Sequence, residues 1–229
     1  MNLTLTLFFF LAMAENSITL GQETLFGTKV ISSIGFDEQE MIRDILVLHN
    51  NGNAIECDPT YSIGNFYKKG LPKPKYKFDL SPQIAGVEKA NANNLPLDDN
   101  SINSIMFDPP FLFGNTGTAS ETIMAKRFTM FDTFLDLENM YKTSLQEFHR
   151  ILRPKGLLIF KCQDFTSPKG NIMIHNIVYN WASEIGFYAK DLFILFSKNR
   201  VFNPNVTQRH ARKFHSYYWV FIKSVGKKK

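Results

Sequence analysis

The sequence predicts an α/β fold in which a mostly parallel sheet is covered by helices on both faces. Three observations carry that prediction. Short apolar runs of strand length alternate with longer segments of helical periodicity. Three of those runs end in an acid, at Asp58, Asp79 and Asp108, and the carboxyl ends of parallel strands are where such folds bind ligands. The most regular helical segment stops at Arg153-Pro154-Lys155-Gly156 and gives way at once to the apolar run Leu157 to Lys161. A chain of 229 residues with 44% hydrophobic content fits one core better than two, so residues 36–229 read as one domain behind an extension over residues 1–35.

In chain order, Phe36 to Leu48 sets Met41, Ile42, Ile45, Leu46 and Leu48 on an amphipathic helix with acids early, closed by His49-Asn50-Asn51-Gly52. Asn53 to Cys57 is a short strand ending in the turn-prone stretch Asp58-Pro59-Thr60-Tyr61-Ser62-Ile63-Gly64-Asn65. Lys75 to Phe78 is the second strand and ends at Asp79; Ser81-Pro82 suits a brief crossover rather than a full helix. Val87 to Ala92 is the third, and Ser101 to Phe107 the fourth, which delivers Asp108. Leu137 to Leu152 repeats Leu137, Met140, Tyr141, Leu145, Phe148, Ile151 and Leu152 at helical spacing. Leu157 to Lys161 is then a strand, Ile172 to Ile185 a helix ended by Gly186, and Leu192 to Phe196 and Tyr217 to Lys223 the last two strands.

Composition narrows the function. The 22 Phe are dispersed along the chain, so most belong to the core. Formal net charge is +5, and from Leu192 to Lys229 there is no acid at all, a one-sided footprint suited to a polyanion. Within it the Lys227 to Lys229 triplet reads as a solvated tail, leaving Arg209, Arg212 and Lys213 as the better contacts. Cys57 and Cys162 have neither metal-site nor disulfide-framework spacing and suit a reducing cytoplasm. His210 and His215 carry no metal signature either, so no metal is expected. At the N-terminus, Leu3 to Leu11 is apolar and precedes Ala12-Met13-Ala14, but it lacks a basic flank and is too short for a membrane span. The preferred expectation is a start at Met13, with residues 1–12 an artefact; a peripheral packing segment and a signal peptide are the other readings.

The string Asp108-Pro109-Pro110-Phe111 follows a buried strand and precedes Leu112-Phe113-Gly114-Asn115. A carboxylate and an exposed carbonyl can accept the protons of a planar amine, and a phenyl face can stack on a nucleobase. A strand-ending turn whose prolines stop the sheet ladder is the alternative reading.

With its strand-end acids and the Arg153-Pro154-Lys155-Gly156 stop, the chain from about Phe36 to Lys223 resembles the class I methyltransferases that use S-adenosyl-L-methionine. Within that superfamily Asp108-Pro109-Pro110-Phe111 is similar to the catalytic motif of DNA amino-methyltransferases acting on the exocyclic amine of adenine or, less often, cytosine. The resemblance implies a Rossmann-like domain with a seven-stranded sheet. It also implies cofactor contacts from Asp58, Thr60 and Gly64 in the first loop, a ribose-binding carboxylate at Asp79 and an adenine contact at Asn91. The first loop departs from the family by keeping the Asp-Pro start and one glycine without the full glycine-rich turn. Asn91 stands where an acid is common.

That resemblance makes nucleic acid the expected partner, DNA before RNA. Its amine protons would be held by Asp108 and the Pro109 carbonyl, and its base stacked on Phe111. A duplex base must first be flipped out, with Lys126, Arg127, Arg209, Arg212 and Lys213 on the phosphates. Gly114 to Asp136 and Asn199 to His215 are the only irregular stretches long enough to supply sequence choice. An RNA base methyltransferase, and a nucleic-acid-binding module without catalysis, are the rival readings.

Overall fold

The computed structural model describes residues 30–112, 131–167, 170–197, 210–211 and 213–225. Its elements are β1 (Ile34–Gly35), α1 (Glu38–His49), β2 (Cys57–Asp58), a 3-10 turn (Asn65–Tyr67), β3 (Tyr76–Asp79), β4 (Glu88–Lys89), β5 (Ile102–Phe107), α2 (Phe134–Ile151), β6 (Leu152–Cys162), β7 (Phe165–Ser167), β8 (Gly170–Ile172), α3 (Ile174–Ile185), β9 (Phe187–Phe196) and β10 (His215–Lys223). Eight strands form one sheet in the order β1-β9-β10-β6-β5-β2-β3-β4, parallel except for β10, which pairs antiparallel with both β6 and β9. Seven strands were expected. The eighth is β1, a two-residue edge pairing with β9 at a place where the sequence has no alternation to announce it.

Helix α1 starts where Asp37 caps it, accepting the N–H groups of Gln39 at 2.9 Å and Glu40 at 3.0 Å. Its buried stripe is Met41, Ile42, Ile45 and Leu46; Leu48 follows Met41 and Ile45 at helical spacing but stands in the last turn and is exposed. Helix α2 begins three residues earlier than its apolar pattern, at a capping box between Thr133 and Asp136. Leu137, Tyr141, Leu145, Phe148 and Ile151 are fully buried along it, each contributing about 1.5–3 kcal/mol through burial. The Arg153-Pro154-Lys155-Gly156 stop does end α2, but β6 has already begun at Leu152, and these residues bulge out of it: Ile102 pairs with Leu152 and Ser104 with Leu157. Lys155 takes φ 66° there, and a Cβ on Gly156 would sit 2.8 Å from the Arg153 carbonyl oxygen, so the position admits only glycine. The β7/β8 hairpin is not among the expected elements, and β2 and β4 are shorter than expected, two residues each.

Alternation along the central strands divides the core. Leu158 and Phe160 of β6, with Ile105 and Phe107 of β5, pack beneath α2 and α3, while Leu157, Ile159, Met106, Tyr218 and Val220 pack beneath α1. The same period of two sets Lys161 of β6, and Asp108 one residue past β5, on the α1 face. No described helix is long and apolar enough to cross a membrane.

Candidate active site

Strand β2 lies between β3 and β5. The chain leaves β2 toward β3 and β4 and returns on its other side as β5, so the carboxyl ends of β2 and β5 flank a topological switch point, the place where open parallel sheets bind ligands. Asp58, Asp79 and Asp108 all stand at this edge.

Asp58 is fully buried. One carboxylate oxygen accepts the Thr60 N–H at 2.9 Å and the Thr60 hydroxyl at 3.3 Å; the other accepts the Tyr67 hydroxyl at 2.9 Å. Burial pushes its carboxyl up to about 7, opposed by these hydrogen bonds. The Thr60 hydroxyl oxygen also accepts the Asp108 N–H at 2.9 Å, so one side chain ties the β2 loop to the start of the Asp-Pro-Pro-Phe segment. Tyr61 stacks on Tyr67, centroids 5.4 Å apart. Gly64 sits at φ 69°, and a Cβ on it would meet the Tyr61 hydroxyl at 2.5 Å. The Tyr61 ring and the left-handed backbone therefore account for glycine at this position.

Asp79 is half-buried, and its two oxygens take the N–H groups of Ser62 at 2.9 Å and Ser81 at 2.8 Å. Each oxygen keeps acceptor capacity beyond that bond. Asn91 is exposed in a tight turn, its side chain accepting the Asn93 N–H at 3.3 Å. The turn is pinned from below, where Glu147 of α2 accepts the Leu95 N–H at 2.7 Å.

Around Asp108 the surroundings change. Its carboxylate keeps 29% exposure, and one oxygen lies 3.2 Å from the Lys161 ammonium, which also bonds Glu38 at 2.8 Å. The Tyr218 hydroxyl donates a short hydrogen bond to the same Glu38 oxygen. Lys161 further sits 5.1 Å from the Phe66 ring centroid and 5.7 Å from that of Tyr218. Burial and Glu38 raise the Asp108 carboxyl, with Lys161 opposing them. Burial would lower the Lys161 ammonium, but Asp108 and Glu38 together hold it above its ordinary value. Pro109 is buried, whereas Pro110 and Phe111 are half-buried. The Tyr141 hydroxyl donates to the Pro110 carbonyl at 2.9 Å; among the described residues nothing donates to the Pro109 carbonyl.

Of the expected phosphate contacts, Lys126, Arg127, Arg209 and Arg212 lie outside the described residues. Lys213 is half-buried, and its carbonyl accepts the Gln163 side-chain amide at 3.2 Å. Among the described residues no group of His, Cys, Asp and Glu is placed to hold a metal. Sequence reasoning missed Glu38, Lys161, Tyr67, Tyr141 and Tyr218. Only Lys161 left a signal, as the lone charge closing the apolar run Leu157 to Phe160.

No family model matches the chain, and no curated protein matches it. Among solved structures it is similar to a "putative DNA modification methylase" from Thermus thermophilus, at 17% identity over 61% of this chain with a TM-score of 0.43, in a complex with S-adenosyl-L-methionine. The chain spans only about half, 56%, of that structure's own length. It is also similar to the N-methyltransferase NodS from Bradyrhizobium japonicum, at 12% identity over 82% of this chain and 97% of that one with a TM-score of 0.47. A third likeness is to the [4+2]-cyclase SpnF, at 12% identity over 81% of each chain with a TM-score of 0.49.

Proposed function

We propose that this chain is an S-adenosyl-L-methionine-dependent methyltransferase acting on the exocyclic amine of a nucleobase, adenine in DNA first. The observation that carries the reading is the pair of acceptors at the β5 end: a partly exposed Asp108 carboxylate with one oxygen engaged among the described residues, and, in the next residue, a Pro109 carbonyl to which no described residue donates.

The residues at the switch point fit the cofactor through the spare acceptor capacity of Asp79, which suits a ribose diol, and the exposed amide of Asn91, which suits a purine edge. Asp58, Thr60 and Gly64 serve by shape: the enclosed Asp58 carboxylate and the Tyr61 ring hold the loop that Gly64 turns. S-adenosyl-L-methionine supplies, when bound, an activated methyl group. The chain's own residues bind the amine, with Asp108 and the Pro109 carbonyl each accepting a hydrogen bond from one of its two N–H groups. That draws the nitrogen toward tetrahedral geometry and frees a lone pair otherwise conjugated into the ring. Asp108, its carboxyl raised by burial, then takes up the proton that the methylated nitrogen loses. Phe111 offers a half-buried ring for stacking.

The test incubates the protein with isotope-labelled S-adenosyl-L-methionine and DNA, RNA or no nucleic acid, and identifies the modified nucleoside by mass spectrometry. N6-methyladenine in the DNA arm is the expected result. Label in RNA alone reassigns the substrate, and a titration without cofactor affinity overturns the enzyme reading.

A further inference from the structure

We propose that Lys161 is a positioning residue for Asp108: held between Glu38 and Asp108, it fixes one carboxylate oxygen inward and leaves the other to accept from the substrate. The inference rests on the amine-methylation reading, yet its geometry stands apart from it. Strands β5 and β6 run parallel with Phe107 beside Phe160, so the next residue of each, Asp108 and Lys161, are lateral neighbours on the α1 face. Tyr218 lies directly across from Lys161 in the β10 ladder. The ammonium is thereby fixed from several directions: Glu38 at 2.8 Å, Asp108 at 3.2 Å, and the Phe66 and Tyr218 rings.

Stability alone explains this arrangement poorly. A largely buried ion pair adds little net stability over an apolar side chain of the same volume, and the four residues before Lys161 are all apolar. What the ammonium does supply is counter-charge at Asp108. Among the described residues the groups facing that carboxylate are Lys161 from β6, Glu38 from α1 with Tyr218 of β10 bonded behind it, Asp58 from β2 and Tyr141 from α2. Lys161 is the sole cation among them, so without it burial and the neighbouring carboxylates would act on Asp108 unopposed.

The experiment follows the Asp108 carboxyl by carbon-13 NMR titration, its signal assigned with Asp108→Asn. In Lys161→Met the midpoint is expected to rise by about one pH unit or more, and Lys161→Arg to restore most of the difference. Glu38→Gln, which removes the competing carboxylate, is expected to move the midpoint down and serves if Lys161→Met fails to fold. In the labelled-methyl assay Lys161→Met should lower kcat roughly tenfold to a hundredfold, leave cofactor KM unchanged and displace the acid limb of the pH profile upward. A midpoint that stays put in folded Lys161→Met, or in Glu38→Gln, overturns the inference. Midpoints that move as stated in a protein whose wild type methylates no nucleic acid would leave the positioning role standing and sink the methylation reading instead.

Discussion

Asp58-Pro59 and Asp108-Pro109 are the same dipeptide at the ends of two neighbouring parallel strands, and burial raises both carboxyls. Their surroundings are opposite. Asp58 has no exposed surface, no cation among the described residues, and donors from Thr60 and Tyr67 on both oxygens. Asp108 keeps 29% exposure, faces a cation and has one oxygen engaged. A carboxylate enclosed by its own loop holds shape; one tethered on a single side and open on the other can bind and react. Thr60 joins the two, donating to the first and accepting the backbone N–H of the second.

The largest expected effect falls on the open acid. Asp108→Ala should reduce methyl transfer by roughly a hundredfold to a thousandfold, the scale for losing one acceptor or donor aimed at the reacting group, while cofactor affinity measured by calorimetry changes little. Transfer at the wild-type rate would remove Asp108 from the reaction. A loss of cofactor affinity equal to the loss of turnover would make it an anchor like Asp58, and the contrast would collapse.

At Asp58 the expected signature is in stability against pH. Its folded value of about 7 lies above an ordinary carboxyl near about 3.9, so between those values the folded state holds a proton that the unfolded state has lost. Stability therefore declines as pH rises from about 4 to 7, by roughly 4 kcal/mol at most for this group, and flattens above. Asp108, raised in the same direction, adds to the slope. Asp58→Asn should remove most of the decline in denaturant titrations run across that window. Asp58→Ala should instead cost about 1–3 kcal/mol on the acid side of it by leaving the Thr60 N–H and the Tyr67 hydroxyl without their acceptor. A wild-type curve that rises through the window would mean that Asp58 is not strained by its burial.

Thr60→Val tests the link between the two ends. It keeps the shape, removes the acceptor for the Asp108 N–H, and should cost about 1–2 kcal/mol of stability. Turnover should fall severalfold as the segment after β5 loosens. A variant with unchanged turnover would show that the Asp58 end and the Asp108 end work independently.

Much of this was readable in the chain because the strands announce themselves by composition and the acids by their place. The apolar run that closes residues 102–107 and the helical periodicity from Leu137 to Ile151 are plain in the sequence, and both elements form where expected. β1 and β4 escape or mislead the reading because two-residue edge strands are set by the partner that pairs with them. The three acids were visible as strand ends, but their differing roles were not, since Asp58 and Asp108 differ only in what Tyr67, Lys161 and Glu38 do, and these lie 9, 53 and 70 residues away along the chain. The Gly64 position illustrates the same limit: a glycine in a binding loop suggests close approach by a ligand, whereas here the neighbour that excludes a side chain is Tyr61.

The smallest expected effect separates the two buried tyrosines. Tyr67 donates to the Asp58 carboxylate and Tyr141 to the Pro110 carbonyl, so each hydroxyl holds one of the two ends. Tyr67→Phe leaves a buried carboxylate with one donor fewer, which should raise the Asp58 carboxyl further and steepen the decline of stability toward pH 7. Tyr141→Phe frees a neutral carbonyl and should cost only about 0.5–1.5 kcal/mol with no change in that slope. Its effect belongs in turnover instead, as a drop of a few-fold at unchanged cofactor affinity, because the carbonyl it releases is one residue from Pro109. If Tyr141→Phe altered the pH slope and Tyr67→Phe did not, the charged anchor would lie at the β5 end, and the roles given to Asp58 and Asp108 would have to be exchanged.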